Sequence, residues 1–121
     1  MARKRTVRSS RFAVLFSTAG NLDEATRIAE HLVERRLVAC VNLIPMVHSI
    51  YWWDNKVNRD QEVLLILKTE KRKIGEIEKT VRSLHSYQTP ELIALPLVSG
   101  LQEYLKWMED SLTSKKGRSA K

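Results

Sequence analysis

The chain has 121 residues, of which 43% are hydrophobic and 29% are charged, and this composition is typical of one soluble globular domain. No apolar run approaches the roughly 18 residues of a membrane span, and no apolar segment near the start predicts a secretory signal. The single cysteine, Cys40, excludes an intrachain disulfide and a paired-cysteine zinc site.

The net charge of +7 is concentrated at the two ends. Residues 1–11 and 113–121 hold nine of the 21 Lys and Arg residues and no acid, whereas residues 12–112 hold the other 12 bases and all 14 acids. Ends so poor in apolar residues predict disordered basic tails at 1–10 and 113–121 around a folded domain at 11–112. We expect nothing beyond weak, salt-sensitive tail contacts with nucleic acid, no membrane contact and a cytoplasmic location.

The first predicted elements are a strand and a helix. The apolar run at 11–18 predicts a strand that is buried on both faces. Apolar residues at helical spacing follow, with charges between them, and predict a helix that ends near Arg36. Asn21 and Asp23 are both suitable N-cap residues for this helix.

A long hairpin is predicted next. Residues 39–53 predict a strand in which Pro45 indicates a bulge, a bend or an edge position, because proline donates no ladder hydrogen bond. Asp54 and Asn55 tolerate positive φ and predict a two-residue type I′ turn. A second long strand returns over residues 56–69.

The last part of the chain predicts a helix, a loop, a strand and a closing helix. Apolar spacing places the helices at 74–84 and 101–112, and a short strand at 91–98 lies between them. The order is therefore β-α-β-β-α-β with one further helix, which is the ferredoxin-like α+β arrangement around an antiparallel sheet.

The second face of this sheet has no helix left to cover it fully. All four predicted strands carry apolar residues at both odd and even positions, and therefore on both faces of the sheet. The closing helix is too short to cover a whole face. The hairpin arms, at about 14 residues each, exceed the usual strand length of roughly six. We therefore expect an oligomer, in which Tyr51, Trp52 and Trp53 near the hairpin tip act as interface anchors.

Several short motifs along residues 11–112 occur in the order found in one known family. They are Ala39-Cys40-Val41-Asn42, Pro45, Ser49-Ile50-Tyr51, Trp53-x-x-Lys56, Glu62, Leu67-Lys68-Thr69, His85-x-Tyr87-x-x-Pro90-Glu91, Leu95-Pro96 and Tyr104-x-x-Trp107. With these motifs the chain resembles the CutA family of divalent-ion tolerance proteins. The resemblance implies a ferredoxin-like fold, a tight homotrimer similar in shape to nitrogen-regulatory signalling proteins, and a role in tolerance to copper and other divalent metals. It implies no established catalytic reaction, so we expect the protein not to be an enzyme.

The resemblance implies metal binding. Imidazole and thiolate are the side chains that copper prefers, and the candidates are Cys40, His31, His48 and His85. The predicted topology places Cys40 and His85 at opposite ends of the sheet, roughly 20 Å apart, so they cannot bind the same ion within one protomer. The favoured interpretation of Cys40 is a small buried apolar residue rather than a metal ligand.

The family comparison weakens the case for tight copper binding. Some members are proposed to bind copper through a cysteine at the end of the first strand and two adjacent histidines. Aligned here, these positions hold Ser17, Leu84 and His85, so His85 alone remains. The sequence therefore predicts no firm cofactor, with weak binding of Cu(II) or another divalent metal as an open alternative.

A polar cluster is predicted near the top of the sheet and the hairpin. Its members are Ser17, Glu62, Lys68, His85, Tyr87 and Glu91. They can bind a small ligand, or they can tie loops and subunits together, with Lys68 expected in an intersubunit salt bridge. No nucleophile stands beside a base in the sequence pattern.

Three functions remain open from the sequence, and the least favoured of them is an enzyme that uses His85, Tyr87 and Glu91. The first is a non-enzymatic homotrimer that acts in the response to metal ions. The alternative is a signalling or scaffold trimer that binds a small ligand or a protein at clefts between subunits.

Overall fold

The computed structural model describes residues 6–113, which form an α+β fold around one antiparallel four-stranded sheet. The strands are β1 (Phe12–Ala19), β2 (Cys40–Trp53), β3 (Lys56–Glu70) and β4 (Ile93–Pro96), and the helices are α1 (Leu22–Glu34), α2 (Ile74–Leu84) and α3 (Gln102–Leu112). Short 3₁₀ turns at Ser9–Arg11 and Lys71–Lys73 precede β1 and α2. The strand order is β2-β3-β1-β4, which confirms the predicted ferredoxin-like topology. Among the described residues, no helix is long and apolar enough to span a membrane.

The main core lies between one face of the sheet and helices α1 and α2. Leu15, Leu65 and Leu67 alternate along β1 and β3 with residues of the opposite face, and all three are at most 1% exposed. Ile28 of α1 and Ile77 of α2 pack against them and are equally buried. The helices pack against this face of the sheet because each has one apolar stripe along its surface.

The opposite face of the sheet is covered only in part. At its lower end, Phe12 is fully buried against Leu105 and Met108 of α3. Farther up and toward the edges, Ile44, Ile93 and Leu95 remain 43 to 55% exposed. The prediction that the closing helix covers only part of this face is confirmed, and we call the uncovered remainder the open face.

The hairpin has the predicted turn and the predicted irregularity. Asp54 and Asn55 have φ of 55° and 60°, the left-handed conformation of both central residues of a type I′ turn. The β2–β3 register shifts between Ile44 and Val47, where Met46 has φ of 63°. The bulge next to Pro45 was one of the predicted alternatives, and β2 is also an edge strand.

Helix α1 has well-formed ends. The side chain of Asn21 accepts a 2.8 Å hydrogen bond from the Glu24 amide, which selects Asn21 as the N-cap. At the other end, Arg36 has φ of 57°, and the amide of Leu37 donates to the carbonyl of Leu32 in a Schellman motif. The cap places Glu24 in the first turn of α1, beside the candidate site.

The domain begins earlier than predicted. Val7 is 2% exposed, and its amide and carbonyl both bond to the side chain of Gln102 at 2.9 Å. The predicted tail boundary at residue 11 is therefore wrong for residues 6–10, because a single apolar residue with a paired backbone suffices to dock this segment on α3. The rest of the predicted tails, at 1–5 and 114–121, lies outside the described residues.

Candidate functional site

His85 lies at the C-terminal end of α2, and its imidazole is fully buried. Its Nε2 lies 2.6 Å from the carbonyl oxygen of Thr18, and its Nδ1 lies 3.1 Å from the amide nitrogen of Tyr87. A carbonyl only accepts and an amide only donates, so Nε2 carries the proton and Nδ1 accepts. Both ring nitrogens of this neutral tautomer are thus engaged by the backbone, and neither offers a lone pair to a metal ion.

The loop after α2 is also held by a carboxylate that the sequence analysis did not select. Glu24 is 6% exposed and accepts hydrogen bonds from the amide and the hydroxyl of Ser86 at 2.7 and 2.9 Å. Its Oε2 lies 3.5 Å from Nδ1 of His85, which is not an ion pair while the imidazole is neutral. Glu24 could have been selected from its position in the first turn of α1, close to the end of β1.

Tyr87 joins this loop to the hairpin. Its hydroxyl donates a 2.7 Å hydrogen bond to Oε2 of Glu62 on β3, and Glu62 is 8% exposed. Burial, together with the hydrogen bond to the Glu62 carboxylate, raises the pKa of the Tyr87 phenol well above its ordinary value. Tyr87 therefore stays a neutral donor across the physiological range.

A cleft of about 680 Å³ opens between the loop and the hairpin. The β2–β3 register pairs Ser49 with Asp60, Trp53 with Lys56 and Val47 with Glu62. Because side chains alternate along a strand, Ser49, Trp53, Asp60 and Glu62 share the hairpin face that lines the cleft. The full lining is Thr18, Ser49, Ile50, Tyr51, Trp53, Asp60, Glu62, Tyr87, Gln88, Thr89, Pro90 and Glu91.

The three aromatic residues predicted as interface anchors separate onto two faces. Tyr51 and Trp53 line the cleft, and the Tyr51 hydroxyl donates a hydrogen bond to Asp60. Trp52 is 73% exposed, pairs with Val57 and lies on the other face of the hairpin. We call the Trp52–Val57 side the outer face of the hairpin.

Two of the remaining predicted cluster residues have separate roles. Ser17 is buried, and its hydroxyl donates a 2.7 Å hydrogen bond to the backbone carbonyl of Glu91, whose side chain is on the cleft. Lys68 lies six residues from Glu62 on the same strand, and its Nζ is 3.5 Å from the hydroxyl of Tyr104. Glu62, Tyr87 and Glu91 thus meet at the cleft, and Lys68 does not join them.

Asp60 and Ser49 are cleft residues that the sequence analysis missed. They could have been predicted from the two-residue turn at Asp54 and Asn55, because the strand register that this turn sets places Ser49 directly opposite Asp60.

The predicted metal ligands are not brought together. Cys40 is level with Val14 of β1, because both pair with Lys68 of β3. His85 contacts Thr18 of β1, four residues farther along the strand, so the levels of Cys40 and His85 differ by roughly 13 Å along the strand. Within residues 6–113, no group of three or more His, Cys, Asp or Glu side chains is arranged to hold a metal ion. The donor set of one described protomer therefore does not fit a tight copper site.

The fold and the cleft define a class of protein. It is a ferredoxin-like α+β module with an extended hairpin, an incompletely covered sheet face and a polar, aromatic cleft at the root of the hairpin. Residues 13–111 match the family described as CutA1 divalent ion tolerance protein. The chain belongs to this family.

Individual relatives agree with this assignment. The divalent-cation tolerance protein CutA of Archaeoglobus fulgidus is 40% identical over 98 residues, which cover 81% of this chain and 95% of the relative. A solved structure of the periplasmic divalent cation tolerance protein CutA from the same organism superposes with a TM-score of 0.82 at 38% identity, covering 84% of this chain and 99% of that one. The chloroplastic protein CutA 1 of rice is 39% identical over 81% of this chain, which spans only 55% of its length.

Proposed function

We propose that this protein is a non-enzymatic homotrimer that acts in the response to divalent metal ions. The observation that carries the proposal is the open face, where Ile44, Ile93 and Leu95 are 43 to 55% exposed in a single protomer. An apolar sheet face of this kind needs a cover, and further copies of the same chain, which carry the same apolar face, can provide it. Membership of the divalent ion tolerance family supports the metal-related role.

The proposed metal contact is weak and is built across subunits. His85 has both ring nitrogens bonded to backbone, so a tight site on its imidazole would require the loop to break. Cys40 is half-buried, and its register with Lys68 and Val14 places it on the side of the sheet that includes the open face, with Sγ 3.8 Å from Oδ1 of Asn42. We therefore assign the contact to the Cys40 side chains of neighbouring copies in a trimer that packs sheet to sheet, because sulfur donors suit a soft metal ion.

The non-enzymatic part of the proposal is supported by the bonding of the candidate groups. Ser17, the one serine of the predicted polar cluster, donates to a backbone carbonyl rather than to a base. The imidazole of His85 is enclosed, and the phenol of Tyr87 is held neutral by burial and by its hydrogen bond to Glu62. Nucleophilic catalysis needs a nucleophile that is hydrogen-bonded to a general base, and these three side chains form no such pair.

Native mass spectrometry with Cu(II) and Zn(II) titrations tests the proposal, because it counts subunits and ions together. We expect a trimer that takes up metal in a simple ratio to protomers, with uptake lost in Cys40→Ala and kept in the matched apolar-face variant Val14→Ala. A monomer at micromolar concentration would contradict the assembly. Non-saturating adducts on an intact trimer would contradict the metal contact.

A second candidate function is a signalling or scaffold trimer that binds a small ligand. The cleft of about 680 Å³ favours it, because its volume lies within the range of small-molecule sites and its polar groups converge on one region. A ligand-dependent rise in melting temperature, with no dependence on metal, would distinguish this function from the first.

The cytoplasmic location stays a prediction. The names of the relatives place the Archaeoglobus protein in the periplasm and the rice protein in the chloroplast, so the family spans several compartments. Fractionation of cells that express the full chain, followed by immunodetection, would test it. Nucleic-acid contact through the basic ends also remains a prediction.

A further inference from the structure

The cleft at the root of the hairpin has a one-sided charge. Asp60, Glu62 and Glu91 line it, and none of its twelve lining residues is Lys, Arg or His. The whole chain carries a net charge of +7, so this concavity stands apart from the average of the chain. Walls that carry one sign of charge in a concave site raise the local concentration of ions of the opposite sign. The three carboxylates therefore favour a cation over an anion in the cleft, and Lys56, which pairs with Trp53 on the same face of the hairpin, lies outside its lining.

Aromatic rings form a large part of the same walls. Tyr51 and Trp53 come from the hairpin and Tyr87 from the facing loop. The two phenols are held by carboxylates, Tyr51 by Asp60 and Tyr87 by Glu62, so the rings have fixed orientations. Their raised pKa values keep both phenols neutral and leave the ring faces as neutral π surfaces. Neutral aromatic faces attract cations through the ring quadrupole.

We propose that this cleft binds an organic ammonium ion, with the charged nitrogen between the aromatic rings and the carboxylates. The inference rests on the second candidate function, ligand binding at the cleft, and names its ligand class. A small hard metal ion needs several oxygen ligands at close range, whereas the described residues include no group of three metal-ligating side chains. An organic ammonium group gains from contact with aromatic faces and from nearby carboxylates without needing their direct coordination.

The hydrogen bonds of the cleft explain why its carboxylates suit such an ion. Glu62 accepts from Tyr87 through Oε2, and Asp60 accepts from Tyr51 through Oδ2. Each carboxylate is therefore turned toward a ring that itself lines the cleft. A cation that stacks on the ring lies at the same time within the field of the carboxylate that orients it.

The first test uses isothermal titration calorimetry on the full chain with choline and with its neutral isostere 3,3-dimethylbutan-1-ol. We expect choline to bind at least about 10-fold more tightly, because only choline carries the charge that the rings and carboxylates attract. Equal affinity for choline and its neutral isostere would overturn the proposal, and so would the absence of binding at 10 mM of both choline and a lysine-containing peptide. Magnesium chloride serves as the hard-cation probe, and displacement of choline by equimolar magnesium would also overturn it.

Matched variants locate the binding. Asp60→Asn and Trp53→Leu should each weaken choline binding by about 5-fold or more, since one removes a cleft charge and the other an aromatic face. Glu30→Gln, an exposed acid on α1, and Trp52→Leu, on the outer face of the hairpin, should leave it unchanged. Equal losses in the cleft variants and in these controls would overturn the assignment to the cleft.

The ammonium group can come from a free small amine or from a lysine side chain of a peptide. The second probe is a peptide with the sequence of residues 113–121, acetylated only at its N-terminus, so that Lys115, Lys116 and Lys121 keep their ammonium groups. Competition between this peptide and choline supports the ammonium chemistry and assigns a lysine source, whereas choline binding without peptide binding supports it and assigns a small amine. Failure of both probes on a protein that native mass spectrometry shows to be trimeric overturns this inference alone and leaves the assembly proposal standing.

Discussion

The hydroxyl of Tyr87 lies 2.7 Å from Oε2 of Glu62, and this hydrogen bond joins the loop after α2 to the root of the β2–β3 hairpin. Glu62 is 8% exposed, so its carboxylate depends on a donor from the protein. The same bond sets the distance between the two walls of the cleft. Stability and cleft geometry are therefore coupled through one pair of side chains.

Replacement of Tyr87 by phenylalanine should destabilise the fold. The variant keeps the ring but leaves the largely buried Glu62 carboxylate without its donor, which is expected to cost about 1 to 2 kcal/mol. Urea denaturation at a fixed protein concentration measures the change. Tyr51→Phe is the matched control, because the Tyr51–Asp60 bond is exposed and should contribute little. Equal losses in the two variants would contradict the argument.

The same residue predicts a pH dependence of stability. The folded-state pKa of Tyr87 is raised above the ordinary value of 10.0 by burial and by the Glu62 carboxylate. Folding therefore favours the neutral phenol, and this contribution is fully present below pH 10.0 and is lost as pH rises through the folded-state pKa. The difference in unfolding free energy between the native chain and Tyr87→Phe should be constant from pH 7 to 9 and shrink above pH 10. A difference in unfolding free energy that grows with pH would contradict a raised pKa of Tyr87 in the folded state.

His85 should act as a structural residue. His85→Ala removes one donor and one acceptor from the buried loop and leaves a cavity, with an expected loss of about 2 to 4 kcal/mol. His48→Ala, at an exposed position, should be neutral. The loss is measured by urea denaturation, and copper uptake by native mass spectrometry should be the same in both variants. A His85→Ala protein of native stability that has lost copper would show that the imidazole is a ligand.

The fold could be predicted from the sequence because local and global signals agree. Asp54 and Asn55 specify the turn, Pro45 marks the bulge, and the apolar runs give each strand to within about two residues. The segment at 6–10 could not be predicted, since one apolar residue, Val7, docks it through contacts with a helix almost a hundred residues away.

The site was predictable only in part. Glu62, Tyr87 and Glu91 were all members of the predicted polar cluster, and they do meet at the cleft. Lys68 was grouped with them although six strand residues separate it from Glu62, a separation of roughly 20 Å along β3. The orientation of His85 depends on backbone groups of two other segments, and no residue pattern records such contacts.

Arg11 should be a stabilising link between β1, β3 and α3. Its guanidinium bonds Glu70 at 2.6 Å and Glu109 at 2.5 Å, and both carboxylates are largely buried. Arg11→Met removes the charge and retains an apolar stem, with an expected loss of about 2 kcal/mol, moderated because Arg11 itself is 37% exposed. Arg8→Met, at an exposed neighbouring position, is the control, and thermal unfolding is the measurement. Equal stability of the two variants would show that the link contributes nothing.

The two adjacent tryptophans of the hairpin should affect different properties. Trp52 is 73% exposed beside Val57 on the outer face, which is the opposite side of the sheet from the open face, whereas Trp53 lines the cleft. Because the hairpin tip extends beyond the part of β3 that pairs with β1, Trp52 is available to pack on a neighbouring copy in the proposed trimer. Trp52→Ala should shift the trimer toward smaller species by at least about 10-fold in the assembly constant, in line with the loss of a buried aromatic anchor. Trp53→Ala should change assembly less and cleft binding more. Sedimentation velocity over a concentration series, with both variants at matched concentrations, measures the difference. Equal assembly of the two variants would mean that the alternation of side chains along β2 does not separate an assembly face from a binding face.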